Sequence, residues 1–315
     1  MAFRVVLTDQ VFPDVRSERA ALERIGASLE IAGPGDDPIE MAATADAVLT
    51  TYYPIDAAAI ARLSKCRVIA RYGIGVDNID LEAATRAGIV VTNVPDYSIE
   101  EVAAHTVLLI LAAVRRLRAG LELATSGERW LAAGLGPIAR ISALTVGIVG
   151  LGRIGRRVAS VLRPFECRLI GYDPLASTAP DDVELQPDVD TVLQHSDVVT
   201  LHVPLTAANR HLIRAETIAR MKEGAILINT SRGGLVHTSD LVAALKTEQL
   251  SYAGLDVLER EPADAAAFAD VPNVLLTPHM AYFSVHAVAE SQSKAVAQVT
   301  KVLTGEPPDY QVNLA

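Results

Sequence analysis

The sequence predicts an α/β protein of two domains, each a parallel sheet flanked by helices. Short β-branched runs alternate with stretches of helical composition, the pattern of parallel strands joined by crossover helices. A glycine-rich turn falls directly between one such run and a helical stretch. At 315 residues, 50% hydrophobic and 21% charged, the chain is too long for one small core and too apolar to be disordered.

In the first hundred residues, strands are predicted at 4–7, 47–50, 68–71 and 89–92, and helices near 18–27, 56–63 and 80–87, with Gly88 where a helix-closing glycine belongs. Ser98-Ile99-Glu100-Glu101 offers an N-cap with Glu three residues on, a capping box, from which a helix runs to about Arg118 and a second domain begins. A glycine-containing segment, 120–137, leads into six strands at 145–149, 168–172, 198–202, 225–229, 252–255 and 274–276, enough for a complete dinucleotide-binding sheet. A last helix at about 285–303 closes with Gly305, and the short polar tail packs back on the first domain.

Charge and composition narrow the partners. With 28 basic and 38 acidic residues the formal charge is -10, which repels phosphate backbones and anionic lipid, so no nucleic acid or membrane partner is expected. Two cysteines, Cys66 and Cys167, exclude a disulfide framework and point to a reducing cytoplasm. The run 3–7 is far shorter than a secretory signal needs, and the longest apolar stretch, 107–114, is bracketed by His105 and Arg115-Arg116.

Gly150, Gly152 and Gly155 form Gly-x-Gly-x-x-Gly directly after the strand 145–149 and before a helical pattern. In that setting the first glycine permits a tight turn, the second lets the backbone approach a pyrophosphate, and the third lets helix and strand pack closely. Arg153 and Ile154, between the second and third glycines, are counted with this cofactor-binding turn. Asp173 ends the next strand, where an acidic residue accepts bonds from the adenosine ribose; a carboxylate there repels a 2′-phosphate, and Pro174 rather than arginine follows, favouring NAD over NADP.

Arg232, Glu261 and His279 each follow a predicted strand end or its loop, the edge that faces ligand in an open α/β sheet. Together they suit reduction of a 2-oxo acid: histidine exchanges the proton, a carboxylate fixes the ring, and a guanidinium polarises the carbonyl and holds the substrate carboxylate. Other readings stay open on pattern alone. Glu259 and Asp264 compete with Glu261 unless they are merely solvated, Arg232 could sit in a surface ion pair, and His279 with His286 lacks the partners of a metal site.

Six ordered blocks resemble the D-isomer-specific 2-hydroxyacid dehydrogenase family over essentially the whole chain. They are Arg71-Tyr72-Gly73-Ile74-Gly75-Val76-Asp77-Asn78-Ile79-Asp80, the 150–155 turn, His202-Val203-Pro204-Leu205-Thr206, Asn229-Thr230-Ser231-Arg232-Gly233-Gly234, Gly254-Leu255-Asp256-Val257 and Thr277-Pro278-His279. The resemblance implies that Arg232, Glu261 and His279 are catalytic and that the backbone at Ile74 and Gly75, with Arg232 and His279, binds a small 2-hydroxy or 2-oxo acid. It also implies that Asp256 holds the nicotinamide carboxamide, with His202, Pro204 and Thr230 lining the cofactor cleft. It implies a flavodoxin-like substrate domain, residues 1–98 and 287–315, and an inserted Rossmann NAD-binding domain, residues 99–286, in a homodimer built on the helix after Ser98 and an arm containing Trp130, with closure on a hinge.

Within the family, the segments 93–102 and 278–284 look most like C-terminal-binding proteins and their bacterial relatives, a branch that includes NAD-dependent corepressors. An NAD(H)-sensing corepressor-like protein with little turnover is therefore the alternative, and oxidation of a non-carbon acid such as phosphite a third reading. Two departures stand out: Ala104-His105 replaces a common Glu-His, and 50–54 lacks the arginine of phosphoglycerate dehydrogenases. With no carboxyl-terminal regulatory domain in the sequence, this argues against phosphoglycerate. Tyr52, Tyr53, Tyr97, Tyr282 and Phe283 offer an apolar wall for a larger side chain, or core packing.

Overall fold

The computed structural model describes residues 3–127, 130–176 and 178–313. The chain opens with β1 (Arg4–Leu7), α1 (Arg16–Glu23), β2 (Ser28–Ile31), α2 (Pro38–Ala42), β3 (Ala47–Thr50), α3 (Ala57–Arg62), β4 (Val68–Arg71), α4 (Leu81–Arg86) and β5 (Val90–Thr92). There follow α5 (Ile99–Val114), α6 (Leu117–Ser126), β6 (Thr145–Val149), α7 (Arg153–Leu162), β7 (Arg168–Tyr172), β8 (Val183–Leu185), α8 (Val189–His195) and β9 (Val198–Leu201). Then come α9 (Ala215–Ile218), β10 (Ala225–Asn229), α10 (Thr238–Lys246), β11 (Leu250–Leu255), β12 (Val274–Leu276) and α11 (Val285–Thr304). These elements form two units, Met1–Tyr97 with Ser284–Ala315, and Ser98–Phe283.

The first unit is a parallel sheet in the order β2-β1-β3-β4-β5, the flavodoxin order. Its central strands are buried on both faces. Val5, Leu49, Val68 and Ala70 pack under Leu22 of α1 and Val296 and Val299 of α11, while Val6, Val48, Ile69 and Val91 face Ile39, Ile60 and Ala84 of α2, α3 and α4. Asp37, Asp56 and Asp80 accept backbone N–H bonds at the starts of those three helices, caps worth about 1 kcal/mol each. Gly88, at φ +70°, lets the chain leave α4 for β5. The tail returns to β5: Gln311 bridges Thr92 antiparallel, and the Asn313 side chain accepts from Val91 N (2.7 Å) and donates to Ile89 O (2.8 Å). β2 and α2 had not been expected; β2 is an edge strand with Ser28 exposed, its run broken by Ser28 and Glu30.

The second unit is a parallel sheet in the order β12-β11-β10-β9-β6-β7-β8, a doubly wound Rossmann arrangement whose order reverses beside β6. It has seven strands rather than six, because the three-residue β8 extends one edge. One face is covered by α5 and α7 through Ile110, Val158 and Leu162, the other by α8 and α10 through Leu193, Leu241 and Leu245.

Two expectations at the entry to this unit are corrected. The Ser98 capping box does not form: Ser98 makes no side-chain cap bond, and its hydroxyl is buried without a partner. The helix also stops at Val114, because Arg116 takes a left-handed backbone at φ 49° while its Nη1 donates to Leu135 O at 2.6 Å. The glycine-containing segment after it opens inside α6, which runs through Gly120. Among the described residues, no helix is long and apolar enough to cross a membrane.

Candidate active site

The glycine turn lies where β6 enters α7. Gly150 has φ +100°, and a Cβ on it would stand 2.6 Å from the His202 carbonyl carbon, so only glycine passes there. Gly155 is pressed against the Gly150 carbonyl oxygen, which a Cβ would meet at 2.0 Å. Gly152 differs from both. It is the exposed N-cap of α7, and a Cβ there would meet nothing within 4 Å. That open space lies before a helix N-terminus whose first N–H groups, at Arg153 and Ile154, have no acceptor within the helix.

Asp173 follows β7 directly. Its Oδ2 accepts from Leu151 N and its Oδ1 from Leu175 N, both at 2.8 Å, so one carboxylate ties the glycine turn to the loop after the neighbouring strand. An anion-binding turn with room before it and a carboxylate at the adjacent strand end fit a dinucleotide's diphosphate and ribose.

Other expected cofactor residues follow strand ends of the same sheet. His202 comes just after β9, and its Nε2 shares a hydrogen bond with Thr200 Oγ1 at 3.0 Å. Part of the residue is exposed, yet the imidazole is surrounded by enough protein that burial pushes its pKa down to about 3. Pro204 is exposed, and its carbonyl accepts from Asn209 Nδ2. Thr230, buried after β10, shares a hydrogen bond with Thr106 of α5 at 2.8 Å.

His279 and Glu261 meet. The His279 Nδ1 lies 2.9 Å from Glu261 Oε2, and Glu261 Oε1 accepts from Leu258 N at 3.0 Å. Partial burial works to raise the Glu261 pKa, but the bond to His279, its charge, the Leu258 N–H and the charge of Arg232 together bring it below the usual carboxylate value. An ionised carboxylate only accepts, so Nδ1 carries the hydrogen and Nε2 is the ring atom left for chemistry. Arg232 follows β10; its Nη1 donates to Ser231 O, and its own carbonyl accepts from Asn229 Nδ2.

The loop carrying His279 is wound around Asp256. His279 sits at φ +50°, and its N–H donates to Asp256 O at 2.9 Å. The Asp256 carboxylate, almost wholly buried, accepts from Thr277 Oγ1 (2.6 Å), Met280 N (2.9 Å) and Ala281 N (2.8 Å). Thr277 in turn shares a hydrogen bond with His105 Nε2 at 3.0 Å. Asp256, expected at the nicotinamide, is thus engaged on both oxygens by the chain itself. Sequence reasoning missed this use of Thr277 and His105, although a titratable residue at the head of the apolar run of α5 was a signal.

Glu259 and Asp264, which could have been solvated, are not. The Glu259 side chain is only 17% exposed and bonds His211, and Asp264 is 6% exposed and bonds Arg260. Ile74 and Gly75 lie in the first unit, in the turn after β4, where Ile74 O accepts from Asn93 Nδ2 at 2.6 Å. In that unit Asp9 accepts from the backbone N–H groups of Thr51, Tyr52 and Tyr53, shaping the loop that leaves Tyr52 exposed. In the second unit, Tyr282 stands edge-on to both His279 and Phe283, with ring centroids 6.3 and 6.2 Å away.

Residues 107–281 match the model of the NAD binding domain of D-isomer specific 2-hydroxyacid dehydrogenases. The D-3-phosphoglycerate dehydrogenase of Methanocaldococcus jannaschii is 40% identical over 258 residues, 81% of this chain and 49% of that protein. The chain spans about half the length of the D-3-phosphoglycerate dehydrogenases it matches. The glyoxylate reductase of Thermofilum pendens is 38% identical over 268 residues, 82% of this chain and 78% of that protein. Among solved structures, the D-lactate dehydrogenase of Aquifex aeolicus complexed with NAD and lactic acid superposes with a TM-score of 0.90 at 28% identity, covering 99% of each chain. With a family match over more than half its length and a relative 38% identical over 82% of it, the chain belongs to the D-isomer specific 2-hydroxyacid dehydrogenases.

Proposed function

We propose that this protein interconverts a D-2-hydroxy acid and its 2-oxo acid with NAD(H). The observation that carries the reading is the His279–Glu261 pair at 2.9 Å, with the Arg232 charge beside it, on the sheet that also carries the glycine turn. Bound NAD(H) supplies hydride exchange at the substrate carbon. The protein's residues do the rest. Reduction puts negative charge on the carbonyl oxygen, and His279 delivers a proton to it from Nε2 while Glu261 holds Nδ1–H and keeps the ring oriented. In the oxidative direction Nε2 takes that proton back. Arg232 polarises the carbonyl and pairs with the substrate carboxylate.

The 150–155 turn holds the diphosphate, Asp173 the ribose, and the charge of Asp173 favours NAD over NADP. Asp256 serves first to hold the His279 loop. Tyr52 and the absence of a cationic residue in 50–54 suit a substrate with an uncharged side chain rather than a second phosphate. The reported relatives carry enzyme names, which lends the corepressor-like alternative no support. A homodimer is part of the proposal: α6 and the segment after it leave Leu117, Leu121, Trp130 and Leu131 exposed, an apolar surface a second copy would cover. The thiols of Cys66 and Cys167 are free, which suits the cytoplasm.

The test is a panel of 2-oxo acids with NADH and NADPH, followed at the reduced-nicotinamide absorbance band. At least one acid should be reduced, faster with NADH, and His279→Ala should lower turnover by about 10²- to 10⁴-fold while NADH still binds. No turnover by the wild type, or wild-type turnover by the variant, would end the proposal.

A further inference from the structure

The loop that carries Glu261 is fastened from beneath by its neighbour two residues earlier. Glu259 Oε1 accepts from His211 Nε2 at 2.6 Å and from Arg210 Nη2 at 3.1 Å, and Oε2 faces Thr238 N and Oγ1, each at 3.4 Å. Those donors lie on two other segments, the loop after β9 and the start of α10. His211 also ties a third, because its backbone N–H donates to Gly234 O at 2.9 Å, two residues past Arg232. Gly233 closes the arrangement: a Cβ there would stand 1.8 Å from Leu258 O, so the chain after Arg232 lies directly against the chain before Glu261. At the loop's far end, Asp264 accepts from Arg260 N (3.1 Å) and from Thr238 Oγ1 (3.4 Å), so Thr238 reaches both carboxylates.

We propose that Glu259, gripped by His211, is a positioning residue for Glu261, setting the carboxylate that orients His279. The proposal deepens the function proposed above and rests on it. Glu259 touches no reacting group; its effect passes through the short loop to Glu261, which reaches the His279 ring with Oε2 while Oε1 is held by Leu258 N. A carboxylate at position 259 suits this task because it accepts on both oxygens from donors on opposite sides, which an amide cannot do in full.

The test compares Glu259→Ala, Glu259→Gln, His211→Gln and Glu261→Ala with the wild type in the full chain, by two readouts. The first is the tautomer of neutral His279, read from its ring ¹⁵N shifts and assigned through the signal lost in His279→Ala. The wild type should show Nδ1–H; Glu261→Ala should shift the ring toward Nε2–H, and Glu259→Ala should move it the same way, with His211→Gln intermediate. The second readout is steady-state kinetics. Glu259→Ala should lower kcat by about 10- to 100-fold with little change in KM for NADH, as expected for a catalytic group displaced by about 1 Å. Glu259→Gln should recover most of that, and in the Glu261→Ala background Glu259→Ala should cost nothing more.

A wild-type tautomer in Glu259→Ala, or fully additive losses, would overturn the proposal. If Glu259→Ala does not fold, His211→Gln decides it by the same comparison, a wild-type tautomer there overturning the proposal. A wild type that turns over no 2-oxo acid would defeat the proposed function, while the tautomer readout would still judge Glu259.

Discussion

Replacing Asp256 by Asn changes one atom and tests what holds the proposed acid/base in place. In the wild type, Oδ1 accepts two hydrogen bonds, from Thr277 Oγ1 and Met280 N, and Oδ2 accepts one, from Ala281 N. An asparagine keeps a single oxygen. Its best choice leaves the oxygen toward Thr277 and Met280 and turns its NH₂ against the Ala281 N–H, two donors facing each other in a buried site. One orphaned backbone N–H costs about 1–3 kcal/mol. In a unit the size of Ser98–Phe283, that lowers the melting temperature by about 2–12 °C.

The kinetic consequence of Asp256→Asn follows from the same loop. His279 is held at φ +50°, a left-handed backbone that a non-glycine residue abandons when its restraints weaken, at a gain of about 1–2 kcal/mol. The ring then leaves Glu261, and turnover falls by about 100-fold. Thermal unfolding scans and 2-oxo acid reduction assays on one preparation check both figures. A variant that melts within about 1 °C of the wild type and turns over within about twofold would show that Asp256 does not organise this loop.

Two further outcomes follow from groups around the proposed cofactor site. His202 has a folded pKa of about 3 and an unfolded value of about 6.5, so the unfolded chain binds its proton first. Its contribution is complete above about pH 6.5 and is lost as pH falls from there toward 3; at pH 5 the loss amounts to about 2 kcal/mol. His202→Gln should flatten the fall in denaturation free energy between pH 7.5 and 5 by about that amount, as measured by urea titration at both pH values. Asp173→Asn removes the charge that opposes a 2′-phosphate. The ratio of kcat/KM for NADH over NADPH should fall by about tenfold, a difference of about 1.4 kcal/mol, and an unchanged ratio would show that Asp173 does not set the preference.

How much was legible in the sequence depended on what a residue's own neighbours in the chain reveal. Strands such as 145–149 and 225–229 lie mid-sheet with both faces covered, and apolar runs bounded by Thr145 and by Asn229 mark them. β2 and β8 sit at sheet edges, where Glu30 and Glu184 can face solvent or a cation, so their runs are broken and they were not found. The helix caps divided in the same way. Asp56 and Asp80 accept N–H bonds as a sequence rule would have them, whereas Ser98 has the right spacing but its backbone, at ψ 25°, turns the hydroxyl away.

The candidate site shows the same limit. The spacing of 259, 261 and 264 could not say which carboxylate meets the histidine, because the answer lies in His211 and Thr238, donors from remote segments that claim Glu259. The uses of Thr277 and His105 were hidden for the same reason.

The return of the carboxyl-terminal tail to β5 has a consequence for biosynthesis. The first unit is encoded in two stretches separated by the whole of the second, and its central strands find their cover in the final helix. On the ribosome, residues 98–283 emerge with every strand of their own sheet and can close it at once. The opening segment meanwhile waits with Leu22, Val68 and Ala70 uncovered until α11 is made. The interval before α11 arrives is therefore when a nascent chain is most exposed to aggregation and most in need of a chaperone.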